Sequence, residues 1–132
     1  MSDSQKLLVV EDEEYLRDLY VQILTQAGFI VDTAVNGEDA YHLLKENEYH
    51  LVLLDIILPK MDGLQVLDRL EKDGKSTHEN VVLLTNLGQD LVVAKALAYG
   101  VRGYMVKSDY TPDELVKEVK GYLNDEHVKS KI

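Results

Sequence analysis

Cysteine is absent from the 132 residues, which excludes disulfide bridges and thiolate metal sites and permits a reducing compartment. Proline is scarce, with only 2, as suits an ordinary globular chain. No apolar run approaches the roughly 20 residues that a membrane-spanning helix needs. The opening "MSDSQK" lacks the basic start and apolar core of a secretory signal. A soluble, cytoplasmic protein without membrane contact is therefore expected. Basic charge is also in deficit, since 14 Lys and Arg stand against 24 Asp and Glu for a net charge of -10. An acidic chain repels phosphate backbones, so no direct binding to nucleic acid is expected. The acidity serves solubility and by itself says nothing about an active site.

What is present suffices for one core. Hydrophobic residues make up 45% of the chain and charged residues 29%, and the length suits one domain rather than two. One domain is expected over residues 1–132, with its core at about 6–124 and residues 125–132 as a tail or the start of a linker. Five short apolar runs recur at the spacing of a βα unit: "KLLVV" (Lys6–Val10), "FIVDTA" (Phe29–Ala34), "LVLLD" (Leu51–Asp55), "VVLLT" (Val81–Thr85) and "GYMVK" (Gly103–Lys107). Three are continuously apolar, the pattern of strands buried on both faces of a parallel sheet. The second is interrupted by Asp32 and Thr33 and suits a more exposed strand.

Helical periodicity fills the gaps. Leu16, Leu19, Tyr20, Ile23, Leu24 and Ala27 repeat at three and four between Glu14 and Ala27, and Gly28 supplies a stop. Similar patterns cover Gly37–Glu46, Gly63–Glu71 and Asp90–Tyr99. The last helix opens with "TPDE", in which Thr111 is the N-cap, Pro112 the first helical residue and Glu114 the partner in a capping box. Strand and helix alternating five times predict a parallel α/β sheet covered by helices on both faces.

Such sheets carry their sites outside the carboxyl ends of the strands. The first strand delivers Glu11, Asp12 and Glu13 there, the third Asp55, the fourth Thr85 and Asn86, and the fifth Lys107. Asp55 ends an apolar run, where a carboxylate is costly unless paired. Crowded carboxylates invite a cation, and hard oxygen donors of this kind suit Mg²⁺. Asp55 then reads as ligand, base or nucleophile, since carboxylates accept phosphoryl groups. Mg²⁺, the Lys107 ammonium and the Thr85 hydroxyl would neutralise and orient such a group.

In this order and spacing, "VVEDE", "LLDIILPKMDG", "LLT" and "MVK" resemble the receiver domain of two-component response regulators. The resemblance covers about Lys6 to Asn124. It implies a flavodoxin-like (βα)5 fold similar to the chemotaxis response regulator, with strand order 2-1-3-4-5. It makes Asp55 the phosphoacceptor for a sensor histidine kinase, a phosphotransfer protein or a small phosphodonor. Glu11, Asp12, Asp55 and the backbone carbonyl of Ile57 match the Mg²⁺ ligands, Glu11 partly through water. Thr85 matches the hydroxyl that binds the phosphoryl oxygen, Lys107 the pairing lysine, and Tyr104 the aromatic switch that turns inward as the threonine moves. The implied output is the face of the fourth helix, fifth strand and fifth helix, offered to a downstream protein or a homodimer partner. Tyr99, Tyr104 and Tyr122 are expected near it. The only catalysis implied is the domain's own phosphotransfer and dephosphorylation.

Two positions depart from the family pattern. Asn86 stands where a small residue is usual, and Ser108 where proline is usual. A cis bond before serine costs about 3 kcal/mol, so a trans Lys107–Ser108 bond is expected. Ile57, Asn86 and Leu87 are candidates for tuning the rate of phosphoryl loss. Ile57 and Leu87 act there either by excluding water or only by packing.

Two rivals lose ground. A fold kept as a silent interaction module would have lost an acid, the threonine or the lysine, and none is lost. An aspartyl-phosphate phosphatase wants a second aspartate where Ile57 stands, and no glycine-rich phosphate loop follows Val10 to hold a flavin nucleotide. The histidines His42, His50, His78 and His127 show no ligand spacing. "ENEYH" and "EKDGKSTHEN" read as charged surface connections.

Overall fold

The computed structural model describes residues 4–74, 78–107 and 109–124. The tail after Asn124 and the Lys107–Ser108 bond lie outside the described residues. The chain runs β1 (Lys6–Val10), α1 (Glu14–Gln26), β2 (Ile30–Ala34), α2 (Gly37–Glu46), β3 (Leu51–Asp55), α3 (Gly63–Lys72), β4 (His78–Thr85), α4 (Asp90–Leu97), β5 (Val101–Val106) and α5 (Pro112–Leu123). The strands form one parallel sheet in the order β2-β1-β3-β4-β5, as the alternation and the resemblance predict.

Alternate strand residues feed two cores, because successive side chains leave opposite faces of a sheet. Leu8, Val10, Val52, Leu54, Val81 and Leu83 pack against α2, α3 and α4. Leu7, Val9, Leu51, Leu53, Val82 and Leu84 pack against α1 and α5. Central β3 is buried at every position, whereas edge strand β2 is mostly open, which explains why Asp32 and Thr33 are tolerated there. Helix ends follow their cap chemistry. The Thr111 hydroxyl accepts from the Glu114 N–H at 3.2 Å and the Glu114 carboxylate accepts from the Thr111 N–H at 2.9 Å, completing the expected box.

Two connections expected to be plain surface are not. Strand β4 starts at His78, three residues before the expected Val81, and His78 is 1% exposed. Its pairing with Val101 and the Arg102 guanidinium donating to the Glu79 carbonyl at 2.6 Å extend the ladder. Tyr49 in "ENEYH" is buried, and its hydroxyl donates to Asp32 at 2.8 Å. Both local sequences are polar, but Tyr49 and His78 find cover from neighbouring elements.

Candidate functional site

Strand register brings the expected residues to one edge. Asp55 pairs with Leu84, and the Ile56 N–H donates to the Leu84 carbonyl at 3.3 Å, so the acid is held at the last rung of the sheet. The Lys107 N–H donates to the Thr85 carbonyl at 2.9 Å, which fixes the root of that side chain beside the end of β4. The Glu11 N–H donates to the Ala34 carbonyl at 3.1 Å, carrying β1 one residue past its end. The Arg17 guanidinium donates to the Glu11 carbonyl at 3.0 Å and ties this loop to α1.

The result is a buried three-group cluster. The Lys107 ammonium lies 2.7 Å from the Asp55 carboxylate and 2.7 Å from the Glu11 carboxylate. Glu11 and Asp55 are 0% and 3% exposed, while Asp12 beside them is exposed. Burial pushes the Asp55 carboxyl up to about 6; the hydrogen bond from Lys107 lowers it and neighbouring Glu11 raises it. Burial works against the Lys107 ammonium, but its hydrogen bonds to Asp55 and Glu11 prevail and its pKa is raised. One cation between two buried anions leaves a surplus of negative charge. The Tyr20 hydroxyl, donating to the Lys107 carbonyl at 3.3 Å, is raised to about 12, first by burial and then by Glu11.

Close backbone packing sets the floor. A Cβ on Gly63 would stand 2.8 Å from the Asp55 carbonyl, and one on Gly37 would stand 1.5 Å from the Met61 carbonyl. The loop after Asp55 therefore rests directly on two helix starts. Neither glycine is singled out above for this close approach. Above the floor is an open cleft of about 590 Å³, lined among others by Glu11, Asp12, Asp55, Ile57, Asn86 and Lys107. Ile57 is 54% exposed and lines it; Leu87 is 78% exposed and is not among its lining residues.

Thr85 is buried, and its hydroxyl donates to the side-chain carbonyl of Gln89 at 2.7 Å. Gln89, which the sequence reading did not single out, also lines the cleft. Tyr104 is 44% exposed, and its carbonyl accepts from the Tyr122 hydroxyl at 3.2 Å. Tyr99 does not join them. It packs on the opposite core, with its hydroxyl donating to Asp68 of α3 at 3.3 Å and its ring edge against His78. Helix α4 ends at Leu97, so Tyr99 leaves the helix and turns under it toward α3.

Carboxylate oxygens of Glu11, Asp12 and Asp55 lie within 4.8 Å of one another. Three hard anionic donors so close, two of them buried, fit a small divalent cation.

The model of the response regulator receiver domain family matches residues 7–120. The transcriptional regulatory protein SrrA of Staphylococcus aureus is 37% identical over 120 residues, which cover 91% of this chain and 48% of that protein. The chain spans about half the length of the curated relatives it matches. The expectation of no nucleic-acid contact finds no support in relatives so named; the acidity argument concerns these residues alone. The solved signal receiver domain of NarL from Mycobacterium tuberculosis is 28% identical with a TM-score of 0.78, covering 93% of this chain and 98% of that one. A CheY-like response regulator receiver domain protein from Methanospirillum hungatei has a TM-score of 0.80 over 97% of this chain and 99% of that one; at 24% identity it speaks for the fold. With a family match across nearly the whole described chain, and with sheet order and acidic edge in agreement, this chain belongs to the response regulator receiver domain family.

Proposed function

We propose that Asp55 is the phosphoacceptor of a two-component signalling switch, served by a sensor histidine kinase, a phosphotransfer protein or a small phosphodonor. The observation that carries this reading is the Lys107 ammonium bridging Asp55 and Glu11 at 2.7 Å inside an open cleft. A buried carboxylate already paired with a cation, yet open to the cleft, is poised to react rather than only to stabilise.

In the step itself, an Asp55 carboxylate oxygen attacks phosphorus and an O–P bond forms. The bond from phosphorus to the donor breaks; a phosphohistidine donor leaves as imidazole and takes a proton from solvent, and acetyl phosphate leaves as acetate. Glu11, Asp12, Asp55 and the Ile57 carbonyl would hold Mg²⁺. When bound, the ion supplies positive charge that lets carboxylates and phosphoryl oxygens share the cleft. Lys107 pairs with the incoming phosphoryl oxygens, Thr85 donates its hydroxyl to one of them, and Tyr104 turns inward as Thr85 moves. The covalent group thereby stabilises one of two states of the face made by α4, β5 and α5. That face meets a downstream protein or a second copy. Residues 1–132 act as one cytoplasmic receiver unit whose only turnover is its own phosphotransfer and dephosphorylation.

Incubation with acetyl phosphate and Mg²⁺ tests the reading by intact mass. The expected result is a hydroxylamine-labile gain of one phosphoryl group that Asp55→Ala abolishes. A native protein that gains nothing, or a variant that gains as much, overturns it.

A further inference from the structure

The loop from Thr85 to Gln89 contains an internal acceptor. The Gln89 side-chain carbonyl accepts from the Thr85 hydroxyl at 2.7 Å and from the Asn86 N–H at 2.9 Å. These two donors stand at the carboxyl end of β4, beside Asp55 across the β3–β4 rung, and Asn86 and Gln89 line the same cleft as Asp55 and Lys107. One neutral amide oxygen thus occupies two donors at the edge of the cleft where a phosphoryl group would sit.

Gln89 reaches away from its own helix. It is the N-cap residue of α4, yet its side chain makes no cap hydrogen bond and reaches backward instead. The helix it opens spans 8 residues, shorter than the other four. The intervening loop turns at Gly88 with φ +87, a region glycine enters freely, and Leu87 beside it is 78% exposed, so little packing opposes a rearrangement.

We propose that Gln89 is a positioning residue that latches the unphosphorylated state: its amide oxygen stands in for a phosphoryl oxygen on the Thr85 hydroxyl and the Asn86 N–H. This rests on Asp55 being the phosphoacceptor. An anionic phosphoryl oxygen is the stronger acceptor, so it takes both donors once present. Gln89 is then released at the start of α4, which carries the exchange of acceptors to the output face. What the latch engages at Asn86 is the backbone N–H.

Beryllofluoride with Mg²⁺, titrated into the native protein, Gln89→Ala and Gln89→Glu, tests the latch, with the Asn86 amide and Thr85 methyl followed by NMR. Gln89 is only half buried, so the variants fold. Gln89→Ala binds about three- to tenfold tighter, the gain from removing a competing hydrogen-bond acceptor. Without beryllofluoride, its Asn86 amide already shifts away from the native position. Gln89→Glu binds more weakly, since a carboxylate holds the donors and repels the anion. Equal or weaker binding by Gln89→Ala, with an unmoved Asn86 amide, overturns the latch while leaving the phosphoacceptor reading intact. A native protein that binds no beryllofluoride overturns that reading and the latch with it.

Discussion

On edge strand β2, Asp32 accepts from the Tyr49 hydroxyl at 2.8 Å, stands 3.5 Å from the Lys6 ammonium and keeps 38% of its side chain in contact with water. At the carboxyl end, Asp55 and Glu11 are buried and share the Lys107 ammonium. Asp32 has a hydroxyl, a cation and solvent; the two buried acids share one cation and accept one backbone N–H each, Glu11 from Glu13 at 3.1 Å and Asp55 from Ile57 at 3.3 Å. The first arrangement serves stability. The second stores unbalanced charge, which a stable fold tolerates where a ligand is to be met.

The largest expected effect comes from removing the shared cation. Lys107→Met should cost about 3 kcal/mol in urea unfolding without metal, because both carboxylates lose their partner in a buried site. An unchanged midpoint would mean that the cluster is better solvated than its burial indicates. The comparison then becomes a contest of signs. Asp55→Asn should raise the stability of the metal-free protein by about 1–2 kcal/mol near neutral pH. Its folded carboxyl titrates at about 6 and its unfolded one at 3.8, so the folded state bears the cost of ionising it in full above pH 6. Asp32→Asn should lower stability by about 1 kcal/mol, through the weakened Tyr49 and Lys6 contacts. Two changes of the same sign would break the contrast between the two sites.

Alkali probes the same edge from its tyrosine. Tyr20 titrates at about 12 when folded and near 10.0 when unfolded. The unfolded chain therefore releases its proton first, and the stability Tyr20 contributes is intact below pH 10 and lost as pH rises toward 12. Tyr20→Phe should flatten that decline by about 1 kcal/mol in denaturant titrations across the range. A decline of unaltered slope would assign it to other groups.

The smallest effect separates two apolar neighbours. Polar substitution of Ile57, which lines the cleft, should shorten the phosphoryl lifetime several-fold by admitting water. Leu87→Ser should leave it unchanged, since Leu87 is outside the lining. Equal shortening in both would show that the loop closes over the site when phosphorylated.

Much of this was legible in the chain. Apolar runs of fixed spacing placed the strands, and "TPDE" placed the start of α5 to the residue, because cap chemistry is local. Glu11, Asp12, Asp55, Thr85 and Lys107 could be grouped because strand ends in a parallel sheet must converge. Gln89 could not be found this way, since its importance depends on a loop conformation that folds its side chain back on Thr85. Gly37 escaped for a similar reason: its approach to the Met61 carbonyl joins residues from different βα units. His78 and Tyr49 sit in polar local sequence, and only distant elements bury them.

The pairing of β4 with β5 has one irregularity, between His78 opposite Val101 and Val82 opposite Gly103. Four steps along β4 there match two along β5, after which Leu83, Leu84 and Thr85 run in step with Tyr104, Met105 and Val106. The surplus residues are thus accommodated at the far end from Asp55. The irregularity is thereby absorbed away from the working edge, where Thr85 stays opposite Val106 and the Lys107 N–H still reaches the Thr85 carbonyl.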